Sequence, residues 1–201
     1  MGRRALSADP ADLARDLLGC VLVRVLDDGR TLAGRIVETE AYLGVADRAC
    51  HSFAGRRTPR VEPMYAPGGT AYVYFTYGMH CCMNVVCGKP GEPVAVLLRG
   101  LEPLEGLDAM HAHRARAGRP ILDDALCRGP GNLCKAFAIG LDLSGADMTR
   151  DARLWLARGS LTPAESRRVR ATPRVGIGDA GAWTKRRLRF LLDGSPGVTR
   201  A

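Results

Sequence analysis

The chain has 201 residues, of which 46% are hydrophobic and 25% charged, and it carries a formal charge of +8. That composition excludes a disordered chain and suits one well-packed domain better than two. No stretch approaches the about 18 apolar residues of a membrane span, and the opening run MGRRALSADPADLARD lacks the apolar block of a secretory signal, so an intracellular, non-membrane protein is expected.

Ser7 and Asp9 ahead of Pro10 signal a helix start, with Leu13, Leu17 and Leu18 on one face and Gly19 as the stop. Val21 to Leu26 and Leu32 to Tyr42 alternate as two strands, joined by a tight turn at Asp27-Asp28-Gly29. A further strand region runs from Thr70 to Cys87 after the breaker Pro67-Gly68-Gly69, and another from Val94 to Leu98. Helical spacing follows over about 104–116 (Leu104, Leu107, Met110) and about 131–139 (Leu133, Ala136, Phe137). Ala152 to Leu156, Arg174 to Ile177 and Leu188 to Leu192 read as further strands or a short closing helix. Hairpins with inserted helices, rather than a repeating βαβ unit, predict a mixed α+β domain with a largely antiparallel sheet. No glycine-rich dinucleotide fingerprint or Walker loop is present.

Arginine supplies nearly all the positive charge, since Lys89, Lys135 and Lys185 are the only lysines. It clusters at Arg56, Arg57 and Arg60, at Arg114, Arg116 and Arg119, at Arg167, Arg168 and Arg170, and at Arg186, Arg187 and Arg189. Guanidiniums grouped in this way bind phosphate bidentately, so a polyanion such as nucleic acid is the partner the charge suggests, against the alternative of merely solvated faces. The seven cysteines form no C-x-x-C pair, and Cys50-His51 with His80-Cys81-Cys82 does not match a zinc arrangement. They are expected to be reduced and mostly buried as small hydrophobes, with no metal site. His111 and His113 share a polar helix with Arg114 and Arg116, read as a solvated or phosphate-facing side.

The run Gly34 to Gly44 is the most unusual. Strand alternation puts Ile36, Glu38, Glu40 and Tyr42 on one face and Val37, Thr39 and Ala41 on the other. Two carboxylates and a phenol make a poor core; they fit either a desolvated general base or a strand face paired with arginine. Three of the five tyrosines, Tyr72, Tyr74 and Tyr77, fall in one stretch before Gly78. Aromatics there can sandwich a base, and one at a hairpin tip can wedge into a base stack; strand propensity and core packing explain them equally well. The loop from His51 to Arg60, with Thr58 and three arginines, has the composition of a phosphate clamp.

Taken in order, VETEAYLG (37–44), the His51 to Arg60 loop, YFTYGMHCCMN (74–84), LLRGLEPLEG (97–106), GPGNLC (129–134), RVGIG (174–178) and GSP (194–196) resemble the alkyladenine (3-methyladenine) DNA glycosylase family over nearly the whole chain. The resemblance implies a single α+β domain over 1–201 with a curved, mainly antiparallel sheet, peripheral helices and a protruding DNA-intercalating β-hairpin. It implies a monofunctional enzyme of base excision repair that flips alkylated or deaminated purines from duplex DNA and hydrolyses the N-glycosidic bond. The lesions would be 3-methyladenine, 7-methylguanine and hypoxanthine, with ethenoadenine as a further candidate.

By the same resemblance Glu40 is the general base for the attacking water, Tyr42, His51, Tyr74 and Asn84 line the base pocket, and Tyr77 is the intercalating wedge. Arg56, Thr58 and Arg99 would contact the DNA backbone. No metal or organic cofactor is expected, the partner is duplex DNA containing a damaged purine, and the protein is expected to be a monomer. His80, Cys81 and Gly197 depart from some relatives, which carry bulkier aromatics at the first two positions and a tryptophan at the third. Lys135 is the one lysine worth testing as a Schiff-base nucleophile. A nucleic-acid-binding module without chemistry, indifferent to Glu40, and hydrolysis of a free nucleoside, indifferent to the arginine clusters, remain as alternatives.

Overall fold

The computed structural model describes residues 1–76, 78–115 and 120–199. Its first elements follow the local signals closely. After a short helix α1 (Arg3–Leu6), helix α2 (Pro10–Asp16) is capped by Asp9, whose Oδ1 accepts from the backbone N–H of Ala11 at 2.8 Å and of Asp12 at 3.3 Å. Leu13, Leu17 and Leu18 are buried, and Gly19 leaves the helix at φ +86°, where its backbone meets Ser160 too closely for a side chain. Strands β1 (Val21–Val25) and β2 (Thr31–Tyr42) form the expected hairpin, with Gly29 at φ +84° in the turn.

The sheet continues with β3 (Ala71–Thr76), β4 (His80–Val86) and β5 (Ala95–Glu105). Helices α3 (Leu107–Arg114) and α4 (Pro130–Ala136) follow, then β6 (Leu154–Ala157), a one-turn helix α5 (Pro163–Ser166), β7 (Val169–Thr172) and β8 (Arg189–Leu192). All pairings are antiparallel, in the order β3-β4-β5-β2-β1-β6, with β8 joining both β2 and β7. The fold is thus a mixed α+β arrangement around one curled antiparallel sheet, as expected. Strand β2 is its axis: β1 and then β8 share one edge of it while β5 runs along the other.

Alternation sorts the sheet into two faces. Val73, Met83, Val85, Val96, Leu98 and Leu101 turn to the main core, which α2, α3 and α4 cover through Leu13, Met110, Leu133 and Phe137. Tyr72, Val86 and Ala95 turn the other way, into a smaller cluster with Cys50, Val61 and Met64. The second cluster supports the candidate site. Thr39, on the core side, donates from Oγ1 to the Ala14 carbonyl at 2.7 Å, satisfying an acceptor near the end of α2. Thr39→Val should therefore cost about 1 kcal/mol in urea unfolding, the net worth of a buried hydrogen bond whose acceptor loses its donor.

Four sequence expectations need correction. Ile36 does not share a face with Glu38: the β2–β5 register slips between Ile36 and Glu38 and again between Glu38 and Thr39, so Ile36 packs in the main core with Ala41. Residues 104–106 are not helical, because Leu104 and Glu105 extend β5 and the helix begins at Leu107; positions 116–119 of that expectation lie outside the described residues. Arg174 to Ile177 forms neither strand nor helix. The polar helix is also less solvated than expected, since His111 pairs with Asp123 at 2.6 Å, His113 meets the Ala136 carbonyl, and Arg114 is buried with Nη1 on the Leu126 carbonyl. The cysteines behave as expected: six are buried and Cys81 is half-buried. Among the described residues no helix is long and apolar enough to cross a membrane, and no group of three His, Cys, Asp or Glu is placed to hold a metal ion.

Candidate active site

The two register slips decide the geometry of the site. They put Val37 and Arg99 at the irregularities of β2 and β5, and Arg99 turns to the face that carries Glu38 and Glu40. Both glutamates are fully buried. Buried carboxylates need charged or hydrogen-bonding partners, and these have several. Glu40 Oε1 accepts from the Val175 backbone N–H at 2.7 Å and lies 3.4 Å from Arg99 Nη1, while Oε2 accepts from the Tyr42 hydroxyl at 2.9 Å. Glu38 accepts from Arg99 Nε at 3.0 Å and Arg189 Nε at 2.7 Å.

Burial pushes the Glu40 carboxyl above the ordinary carboxylate range, an effect that Arg99, the Val175 N–H and the Tyr42 hydroxyl oppose and Glu38 reinforces. Burial, with the nearby Glu40, also raises Tyr42 far above the usual phenol value, so Tyr42 is a donor and not a base.

A cavity of about 390 Å³ opens beside this pair. Tyr42, His51, Tyr72, Tyr74, Asn84 and Arg99 line it, with Val175, Gly176 and Ile177 closing one side. Glu40 sits immediately behind three of these residues: Tyr42, Arg99 and Val175 each contact it and each line the cavity. The aromatic wall is fixed by its own contacts. His51 Nδ1 and the Tyr72 hydroxyl share a hydrogen bond at 2.8 Å, and the His51 and Tyr74 rings meet edge to face at 4.5 Å. Burial, then Arg60 and Arg56, push the His51 imidazole below its ordinary value and so favour the neutral ring. Arg60 lies over the outer face of this wall, 5.5 Å from the Tyr74 ring centre, with Nη2 on the Phe75 carbonyl.

Of the residues singled out in the sequence, Tyr42, His51, Tyr74, Asn84 and Arg99 come together around one cavity with Glu40 behind it. Arg99 is only 6% exposed and bound to both carboxylates, a different setting from the surface loop that carries Arg56 and Thr58. Tyr77 lies outside the described residues. Lys135 is on the exposed side of α4. Asn84 donates Nδ2 to the Tyr72 carbonyl at 3.2 Å, which fixes the orientation of its amide.

Sequence reasoning missed Val175, whose contribution is a backbone N–H, and the Arg174–Asp47 pair that holds it. Arg174 meets Asp47 with two hydrogen bonds of 2.6 and 2.9 Å, both side chains fully buried, and its guanidinium lies over the Tyr42 ring at 4.7 Å. The RVGIG run that contributed to the resemblance was the only signal for Arg174 and Val175, and no motif marked Asp47.

Aromatic rings around one cavity, a buried carboxylate behind it and an arginine-rich chain define a class of site. The comparisons with known proteins give that class a family. The family model of methylpurine-DNA glycosylase matches residues 4–196. The chain is 50% identical to the human DNA-3-methyladenine glycosylase over 192 residues, which cover 93% of this chain and 63% of the human one. It is 49% identical to the mouse protein of that name, of which it spans 57%. A Desulfitobacterium hafniense protein that bears the 3-methyladenine DNA glycosylase name provisionally is 41% identical over 203 residues, 99% of this chain and 98% of that one. The chain belongs to the methylpurine-DNA glycosylase family. It spans less than two thirds of the mammalian relatives' length.

Proposed function

We propose that the protein is a monofunctional DNA glycosylase that accepts a damaged purine flipped from duplex DNA and hydrolyses its N-glycosidic bond. The observation that carries this reading is Glu40, fully buried yet held by hydrogen bonds from Tyr42 and Val175 and an ion pair with Arg99, three residues that themselves line the cavity. An ionised carboxylate offers about four acceptor positions, so those three leave capacity for a water molecule, which Glu40 would align and deprotonate as it attacks the sugar C1′. Arg99, the Val175 N–H and the Tyr42 hydroxyl oppose the effect of burial on this carboxyl.

The purine would stack on Tyr42 on one side and meet the mutually perpendicular Tyr74 and His51 rings on the other, one by its face and one by its edge, a stacked base being worth about 1–3 kcal/mol. A purine methylated at N3 or N7 is cationic, which strengthens its attraction to these rings and weakens its bond to the sugar. A neutral base such as hypoxanthine needs a proton as it leaves. Asn84, which lines the cavity with its amide held by the Tyr72 carbonyl, would crowd the 2-amino group of normal guanine. Tyr77 would fill the place left in the duplex, and Arg56 and Thr58, exposed on the loop after His51, would hold phosphate.

Single-turnover incubation with duplexes carrying one 7-methylguanine or one hypoxanthine should release the free base and leave an intact abasic site. Binding of the duplex should weaken with salt, log K falling by about 0.9 for each phosphate neutralised per tenfold rise in salt. Binding with no base released from either duplex would favour a non-catalytic binding module, and a salt-independent affinity would remove duplex DNA as the partner.

A further inference from the structure

Glu38 plays no part in base excision as proposed, yet it is fully buried and accepts four hydrogen bonds where Glu40 accepts two. Arg99 Nε, Arg189 Nε and Thr199 Oγ1 all donate to its Oε1, at 3.0, 2.7 and 2.7 Å, and the Thr199 backbone N–H donates to Oε2 at 2.7 Å. Thr199 is tied in turn, because Arg189 Nη2 donates to its carbonyl at 2.8 Å. Neither Glu38 oxygen is aimed at the cavity, which Glu38 does not line.

The segment bearing Thr199 lies directly on the backbone of β5. A Cβ added to Gly100 would come within 2.4 Å of the Gly197 carbonyl, and one added to Gly197 within 2.7 Å of the Leu101 carbonyl. Two glycines face to face therefore admit a strap that a side chain at either position would push away. Gly197 is one of the departures noted in the sequence. Ser195 and Arg128 fasten the strap further: Ser195 Oγ donates to Glu102 at 2.6 Å, and Arg128 Nε donates to the Pro196 carbonyl at 2.7 Å.

We propose that Glu38 and Thr199 are positioning residues for the reaction, setting the plane of the Arg99 guanidinium so that its Nη1 faces Glu40. A guanidinium is planar, so fixing Nε on Glu38 fixes the direction of Nη1, and the carboxylate that fixes Nε is itself fixed by both donors of Thr199. Glu38, Glu40, Arg99 and Arg189 form a neutral buried set of two anions and two cations, in which loosening one member loosens its neighbours. This inference rests on the proposed role of Glu40 in base excision.

The test is Thr199→Val, which keeps the shape of the side chain and the backbone N–H but removes the hydroxyl, beside Thr199→Ser, which keeps the hydroxyl. The charged and titratable groups around Glu40 are Glu38 and Tyr42 on β2, Tyr74 on β3, Cys82 on β4, Arg99 on β5, Arg174 in the loop after β7 and Arg189, its register partner on β8. The valine takes a donor from Glu38 and an acceptor from Arg189 Nη2, and of these groups Arg99, held by Glu38 through Nε, is the one that also meets Glu40. Single-turnover release of hypoxanthine should slow by on the order of tenfold to a hundredfold in Thr199→Val, the range expected of a small misplacement. The acid limb of its pH profile should move to higher pH, because Arg99 no longer offsets burial of Glu40, while duplex affinity stays that of the wild type. Thr199→Ser should restore both rate and limb.

An NMR titration of the Glu40 side-chain carboxyl in the same variants reads the coupling without reference to activity, so a wild type that releases no base would defeat the glycosylase reading while the titration still judges the coupling. An unmoved Glu40 titration, a slow Thr199→Val with its acid limb unchanged, or a Thr199→Ser no better than the valine would overturn the proposal.

Discussion

Replacing Glu40 with glutamine should lower single-turnover base release by about 10²–10⁴-fold, the usual contribution of a general base, while duplex binding stays within a few-fold of wild type. The substitution keeps the volume of the side chain. Its carbonyl can still accept from Val175 N–H, and its amide can donate to the Tyr42 hydroxyl, which serves as donor or acceptor. The same variant makes a prediction about stability with a definite sign. Burial raises the folded pKa of Glu40 above its ordinary value of 4.5, so the ionised form is the one the fold disfavours.

A carboxyl with a raised folded pKa costs stability at pH values above that pKa, and the cost disappears as pH falls through the folded pKa to the unfolded value. Glutamine never carries the charge. Glu40→Gln should therefore melt at or above the wild-type temperature at pH 8, and the difference should close as the pH is lowered toward 4.5. Loss of activity accompanied by a lower melting temperature at pH 8 would mean that the carboxylate is held for structure, through Arg99, and would count against the proton-accepting role. Retained activity would eliminate Glu40 as the base outright.

The parts of the fold legible in the sequence are those that a local rule specifies. Asp9-Pro10 predicted the start of α2 because a capping side chain and a ring without an N–H both fit a helix N-terminus, and Gly29 marked the β1–β2 turn because its backbone needs a positive φ. Strict alternation failed at Val37, where a register slip against β5 moves Ile36 into the core. No composition signal announces a slip of this kind, since it depends on how two strands distant in sequence meet.

That slip is also why Glu38, Glu40 and Tyr42 could be recognised as sharing a face while Arg99, on the other strand, could not be placed between the two carboxylates. Strand β7 escaped notice because Val169 and Ala171 alternate with arginine over only four residues. Arg174 to Ile177 misled in the opposite direction. Its two apolar side chains suggested a regular element, but Val175 and Ile177 line the cavity and the Val175 N–H serves Glu40, a use of the backbone that side-chain periodicity cannot report.

Arg174→Ala should be the most destabilising of these substitutions, at about 3–5 kcal/mol, the cost of removing one partner from a buried ion pair. Arg174 spans three parts of the chain: two hydrogen bonds reach Asp47, a third of 3.0 Å reaches the Ala41 carbonyl on β2, and the guanidinium covers Tyr42. Asp47 also accepts from the backbone N–H groups of Leu43 and Ala49, so the pair organises the turn leading from β2 toward His51.

Alanine would leave the Asp47 charge buried without its cation and free the loop that presents Val175 to Glu40. Stability and catalysis should then fall together. Most of the stability loss comes from the stranded carboxylate, so Asp47→Asn in the Arg174→Ala background should recover part of it, seen as a partial return of the urea midpoint with an unchanged slope. Base release should not recover with it, because the asparagine relieves the charge without tying the loop back against β2. A double variant that regained both stability and rate would show that the loop keeps its place without Arg174 and that the pair matters only for charge balance. A single variant losing less than about 1 kcal/mol would show that water reaches Asp47 as readily as it reaches an exposed ion pair.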